Sequence, residues 1–252
     1  MSRRRLILFL LLFALLISLY YYAVKPLLHT GENALYQDDF STLNSDFWYV
    51  GSMQTDAEIK SQAKLDGGAL ILEKTARGED LYFLTRPLKM SKRQILTVRR
   101  KLNVHPGKDY FSGGLVLYQT DSVKRFINPS DEMPFGKPLL MVEYVKDPTG
   151  KSKRPGKNNI RILPPNWKED ESAVLMKSIF DRDFEEELTY HADTGLIEYR
   201  AGGAKETLQG EPLKNKNIRV WMHAYGNSAK QRIRVDEMEI EVRNIEDSNL
   251  EN

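Results

Sequence analysis

From residue 34 onward, apolar and polar residues alternate with a period of two in one short run after another. In NIRVWMHAY (217–225), Ile218, Val220 and Met222 fall on one side, and Arg219, Trp221, His223 and Tyr225 on the other. That is the pattern of a β-strand with two unlike faces. RVDEMEIEV (234–242) sets Glu237, Glu239 and Glu241 against Met238, Ile240 and Val242 in the same way. Strands are expected near 46–53, 69–74, 81–86, 93–104, 113–119, 138–145, 159–163, 187–192, 195–200, 217–225 and 232–243. Turn residues separate them: DGG at 66–68, HPGKD at 105–109 and ADTGL at 192–196 each supply a residue that tolerates positive φ. TYHADTGLIEY reads as a hairpin with Asp193-Thr194-Gly195 at its tip.

Two stretches depart from this rhythm. KDPTGKSKRPGKNN (146–159) reads as a basic surface loop, and residues 166–187 leave room for a short helix because their apolar positions do not alternate. So many strands without a boundary predict one all-β domain over 35–244, an antiparallel two-sheet β-sandwich or jelly roll, ending in a polar tail at 245–252.

The N-terminus follows another pattern. Arg3, Arg4 and Arg5 precede an uncharged, mostly apolar run from Leu6 to Val24. As a helix that run measures roughly 29 Å, enough to cross a bilayer. The arginines favour a cytoplasmic N-terminus, so residues 1–24 are expected to anchor the chain, 25–34 to tether it, and the sandwich to lie outside the cell membrane. The alternative is a cleavable signal peptide and a secreted domain.

Charge then excludes one class of partner. Of 37 lysines and arginines, setting aside Arg3, Arg4 and Arg5 leaves 34 against 35 acidic residues, so the exported part has no basic excess for nucleic acid. The absence of cysteine excludes disulfides, thiolate metal sites, a cysteine nucleophile and a cysteine-linked lipid. The four histidines show no zinc spacing, and no phosphate loop or Ser-His-Asp order stands out.

LYQDDFSTLNSDFWYVG, AKLDGGALILEK and RIRVDEMEIEV resemble, in turn, the opening turn and first strand, the next strand, and the closing strand of concanavalin A-like lectin and glucanase domains. The resemblance covers roughly residues 35–244 and implies the jelly-roll fold. It also implies a possible structural calcium ion at Asp236, the aspartate that leads the closing strand. Glucanases of this superfamily carry Glu-x-Asp-x-Glu on a strand in mid-domain. Here Glu237, Glu239 and Glu241 copy the spacing, but with Glu at the centre and almost at the chain's end, so they read as the wet side of the closing strand. No reaction is assigned. If the chain were a glycoside hydrolase or lyase, its acid groups would come from Glu143, Glu239 and Glu241.

The remaining chemistry is on 217–225. Sugars present apolar C–H faces edged with hydroxyls, and rings beside polar donors match them. Arg219, Trp221, His223 and Tyr225 are therefore the candidate glycan-binding residues, the competing placement being Trp221 inside the inter-sheet core. The expected partner is a polysaccharide or other glycan. A scaffold that binds only other proteins is the third reading.

Overall fold

The computed structural model describes residues 33–42, 44, 48–52, 63–74, 80–85, 87–120, 138–149, 158–163, 174–177, 179–214, 217–226 and 230–245. Its strands in chain order are β1 (Ala34–Asp38), β2 (Trp48–Ser52), β3 (Ala63–Leu65), β4 (Leu70–Lys74), β5 (Asp80–Thr85), β6 (Leu88–Lys89), β7 (Gln94–His105) and β8 (Phe111–Thr120). There follow β9 (Pro138–Lys146), β10 (Asn158–Leu163), β11 (Val174–Lys177), β12 (Asp183–His191), β13 (Leu196–Ala201), β14 (Ala204–Gln209), β15 (Asn217–Gly226) and β16 (Gln231–Asn244).

They form two antiparallel sheets. Sheet I runs β14-β13-β12-β7-β16-β4-β3, with β1 added beside β16. Sheet II runs β11-β10-β9-β8-β15-β5-β2, with β6 added beside β15. The long closing strand β16 pairs with β7 along one edge and shares its other edge between β4 and β1. At the β1 end Ala34 faces Val242, and the Asn244 amide donates to the Asn33 side chain at 2.9 Å.

The core lies where the two inner faces meet. Leu96, Val98 and Leu102 of β7, Ile233, Val235 and Ile240 of β16, Leu115 and Leu117 of β8, and Ile218, Val220 and Met222 of β15 all belong to it. Alternation explains this directly, because every second residue on a strand turns inward. Gly113 allows the sheets to approach, since a Cβ there would fall 2.9 Å from the Ile233 side chain. The tight turns bear out their sequence: Gly67, Gly68, Gly107 and Gly195 all have positive φ.

The helix expected within 166–187 is not present in its described part. Val174–Lys177 is β11, paired with β10, and β12 begins at Asp183. The alternation in DFEEELTYH was hidden because one inward position is Glu186. Its carboxylate is buried beside Arg100 of β7, whose Nε donates at 2.6 Å. Tyr199 of β13 donates its hydroxyl to the same carboxylate at 2.8 Å, and Tyr144 of β9 donates from the opposite sheet. Burial, and next the Glu186 charge, push both tyrosines well above their ordinary pKa, so they remain donors. Burial, the largest single influence, lowers Arg100, but the Glu186 charge, Tyr144, the Glu186 hydrogen bond and Tyr199 together hold the guanidinium above its ordinary value. A charged pair with two hydroxyl donors thus ties β9 of sheet II to three adjacent strands of sheet I.

Among the described residues no helix is long and apolar enough to cross a membrane, and the expected anchor at 1–24 lies outside them. So do Trp167, the side chain of Trp48 and residues 150–157 of the expected basic loop.

Candidate functional site

The outer face of sheet I carries the glutamates of the closing strand, and it is a charge lattice. Arg99 of β7 donates to Glu187 at 2.9 Å, to Glu241 at 3.2 Å and to Glu239. The Gln37 amide bonds Glu239 from the other side, and with the Arg99 contact it holds that carboxylate below its ordinary pKa. A groove of about 830 Å³ crosses this face, lined among others by Arg99, Glu187, Arg200, Lys205 and Glu239. Its charges largely answer one another: Arg200 reaches Glu187 at 3.4 Å, and Lys205 reaches Glu198 at 2.7 Å. This is the wet side of a sheet. Glu143 sits on sheet II, so the three carboxylates considered for catalysis do not share a face. Glu143 is the one carboxylate on β8, β9 and β15, and on β5, the other neighbour of β15, Asp80 lies opposite Tyr225.

The outer face of sheet II is different. Because Ile218, Val220, Met222 and Ala224 point into the core, Arg219, Trp221, His223 and Tyr225 share the opposite face. Trp221 is outside the inter-sheet core, but it is only 2 % exposed and its ring packs 5.5 Å from that of Tyr118. Exposure rises along β15 from Arg219 (1 %) through Trp221 to His223 (9 %) and half-buried Tyr225. The strand is open at its Tyr225 end.

Around that end the neighbouring strands bring together residues the sequence did not single out. Ser112 lies opposite Tyr225, and Gly114 lies opposite both His223 and Glu143. Gly114 is the close approach of β8 to β9, since a Cβ on it would fall 1.9 Å from the Val142 carbonyl oxygen. The Ser112 hydroxyl donates to the buried Glu143 carboxylate. Tyr110, just before β8, meets Tyr225 edge-on with ring centres 6.0 Å apart. The sequence signal for this cluster was the glycine pair inside SGG, since glycine within a strand marks a close approach. Tyr190 and His191, by contrast, face apart: Tyr190 is buried with its hydroxyl on the Glu211 carbonyl, and His191 faces outward 3.5 Å from Glu198.

His223 carries a pH dependence. Burial pushes its imidazole below its ordinary pKa, more than the nearby Glu143 charge raises it. Between the folded value and about 6.5, the unfolded chain takes up a proton that the folded chain refuses. This contribution to stability is therefore present above about pH 6.5 and is lost as pH falls through the folded value. Urea midpoints at pH 7.5 and pH 5 should differ less for His223→Gln than for the wild type.

No protein-family model matches the sequence, and no curated protein matches it. Solved structures do match. Peanut lectin superposes with a TM-score of 0.62 at 11% identity, over 84% of this chain and 98% of that one. Basic winged bean lectin with Tn-antigen gives 0.61 at 11%, over 84% and 99%. The carbohydrate recognition domain of Emp46p in its potassium-bound form gives 0.58 at 12%, over 81% and 94%. The fold is that of the concanavalin A-like lectins. The resemblance read from the two ends of the domain is therefore correct at the level of fold.

Within this concanavalin A-like frame, Asp236 occupies a bulge of β16, between Val235 and Glu237. Its carboxylate accepts from Arg234 Nε at 2.8 Å, with Nη2 at 2.7 Å. Asp38 and Asp39 cap local turns, accepting from the amides of Phe40 and Ser41. Among the described residues no three carboxylate, histidine or cysteine side chains converge. In this structure the Asp236 carboxylate is engaged by Arg234.

Proposed function

We propose that this chain is a lectin-type carbohydrate-binding protein whose site is the Tyr225 end of the outer face of sheet II. In this reading residues 1–24 anchor it in a membrane with the sandwich on the extracytoplasmic side, or are cleaved to release it. The observation that carries the binding site is the clustering there of two half-buried rings, Tyr110 and Tyr225, with Ser112, Glu143 and His223. The rings offer a surface for a sugar C–H face, and on the same face the Ser112–Glu143 pair and His223 lie buried beside them, His223 being the nearest of the three to solvent. The basic winged bean lectin of the same fold was solved with Tn-antigen. Trp221, one of the four candidate residues on this strand face, lies further along β15 against Tyr118, and at 2 % exposure its contribution is packing.

The test uses the full chain in detergent micelles against a panel of polysaccharides, with reducing ends assayed in the same samples. At least one class is expected to bind without new reducing ends. Tyr225→Ala should weaken it about tenfold, the loss of one stacking contact worth about 1.4 kcal/mol. New reducing ends would turn the reading to a hydrolase. A folded wild type that binds no polysaccharide would turn it to a protein-binding scaffold.

A further inference from the structure

The mouth of the site is held by a side chain from the other sheet. Gln231 opens β16 in sheet I and is wholly buried. Its amide nitrogen reaches the loop that carries the chain from β7 to β8. There it donates to the carbonyls of Pro106 at 2.7 Å and Tyr110 at 2.8 Å, with that of Asp109 at 3.4 Å. Lys146 of β9 donates its ammonium to another carbonyl of the loop, that of Gly107. Gly226, the last residue of β15, leaves the space Gln231 occupies: a Cβ there would fall 1.9 Å from the Gln231 side-chain oxygen. One amide and one ammonium thus fix the backbone of 106–110, and with it the position of Tyr110 against Tyr225.

We propose that Gln231 is the positioning residue of the ligand site: it never faces the ligand, and acts by holding Tyr110 in the ring pair. The inference rests on the glycan-binding reading above. Its physical basis is the cost of a buried carbonyl without a donor. Once the amide is removed, the loop satisfies its carbonyls by turning them to water, and Tyr110 leaves Tyr225. A ligand would then have to restore the ring pair at the expense of its own affinity.

Two readouts test this on the full chain in detergent micelles. The first needs no ligand. Lys108 is an exposed trypsin site inside the loop. Gln231→Leu should be nicked after Lys108 at least tenfold faster than wild type, at trypsin levels where global unfolding is rare. Lys146→Met, which frees only the Gly107 carbonyl and leaves the Gln231 bonds in place, should show a smaller increase, and Gln231→Met, which removes the amide but keeps the length of the side chain, takes the place of Gln231→Leu if that variant fails to fold. The second is a double-mutant cycle on polysaccharide affinity. Gln231→Leu should weaken binding about tenfold in the wild-type background and not at all in Tyr110→Ala. Nicking of both variants at the wild-type rate would overturn the proposal, and so would equal weakening in both backgrounds. If the wild type binds no polysaccharide, the lectin reading fails, while the nicking rates still decide whether Gln231 holds the loop.

Discussion

Glu186→Gln is expected to lower the unfolding free energy by about 3–5 kcal/mol, the cost of leaving a buried charge without its partner. The substitution keeps the shape but strips the counter-ion from Arg100, whose side chain is wholly buried. It also turns one acceptor oxygen into a donor facing other donors: the guanidinium, Tyr144 and Tyr199. Tyr144→Phe removes a single hydroxyl and should cost about 1–3 kcal/mol. Replacing Arg100 and Glu186 together, by Met and Leu, should cost less than Glu186→Gln alone, because an apolar pair leaves no charge to desolvate. Urea denaturation followed by tryptophan fluorescence gives all three values. A Glu186→Gln protein as stable as the wild type would mean that the core is not dry around this pair.

Gly114→Ala is the second large effect. The added methyl would fall 1.9 Å from the Val142 carbonyl oxygen, which is backbone and cannot rotate aside. β8 and β9 would have to separate where Gly114 faces Glu143. The expected cost is about 3 kcal/mol, at the upper end of what overpacking does. For a domain of this size that lowers the melting temperature by about 6–12 °C. Because His223 lies opposite Gly114 on the other side, ligand binding should fall with it even at temperatures where the variant is folded.

These two positions mark the limit of what the sequence discloses. β15 was legible in full, since Ile218, Val220 and Met222 alternate without interruption and period two alone puts Trp221, His223 and Tyr225 on a common face. The first half of β12 was not, because its inward Glu186 looks like a surface residue until Arg100, 86 positions earlier, is seen beside it. Strands such as β14, AKETLQ at a sheet edge, bury a single side chain and leave almost no apolar trace. β11, four residues long, fell inside the stretch read as helical. The site divides the same way. The face of β15 could be read locally, whereas the Ser112–Glu143 bond and the reach of Gln231 to Pro106 depend on which strands lie side by side. Pairing register between distant strands leaves no local mark in the sequence, and depth does not either: nothing in WMHAY says that the tryptophan is shut in and the tyrosine half open.

The pairing of β1 with the far half of β16 also fixes a direction. Asn33 and Asn244 are bonded to each other, so the chain enters and leaves the sandwich at one end. The loop 106–110 follows the last residue of β7, while Asn244 lies beside the first, Gln94. The length of β7 therefore separates the two, roughly 35 Å at about 3.3 Å per residue. A surface that held this protein by its N-terminal side would have the tyrosine pair at the far end of the sandwich, lifted clear by the height of the domain. The molecule would be built to reach outward, towards polymers or neighbours beyond that surface, rather than to grip what it stands on.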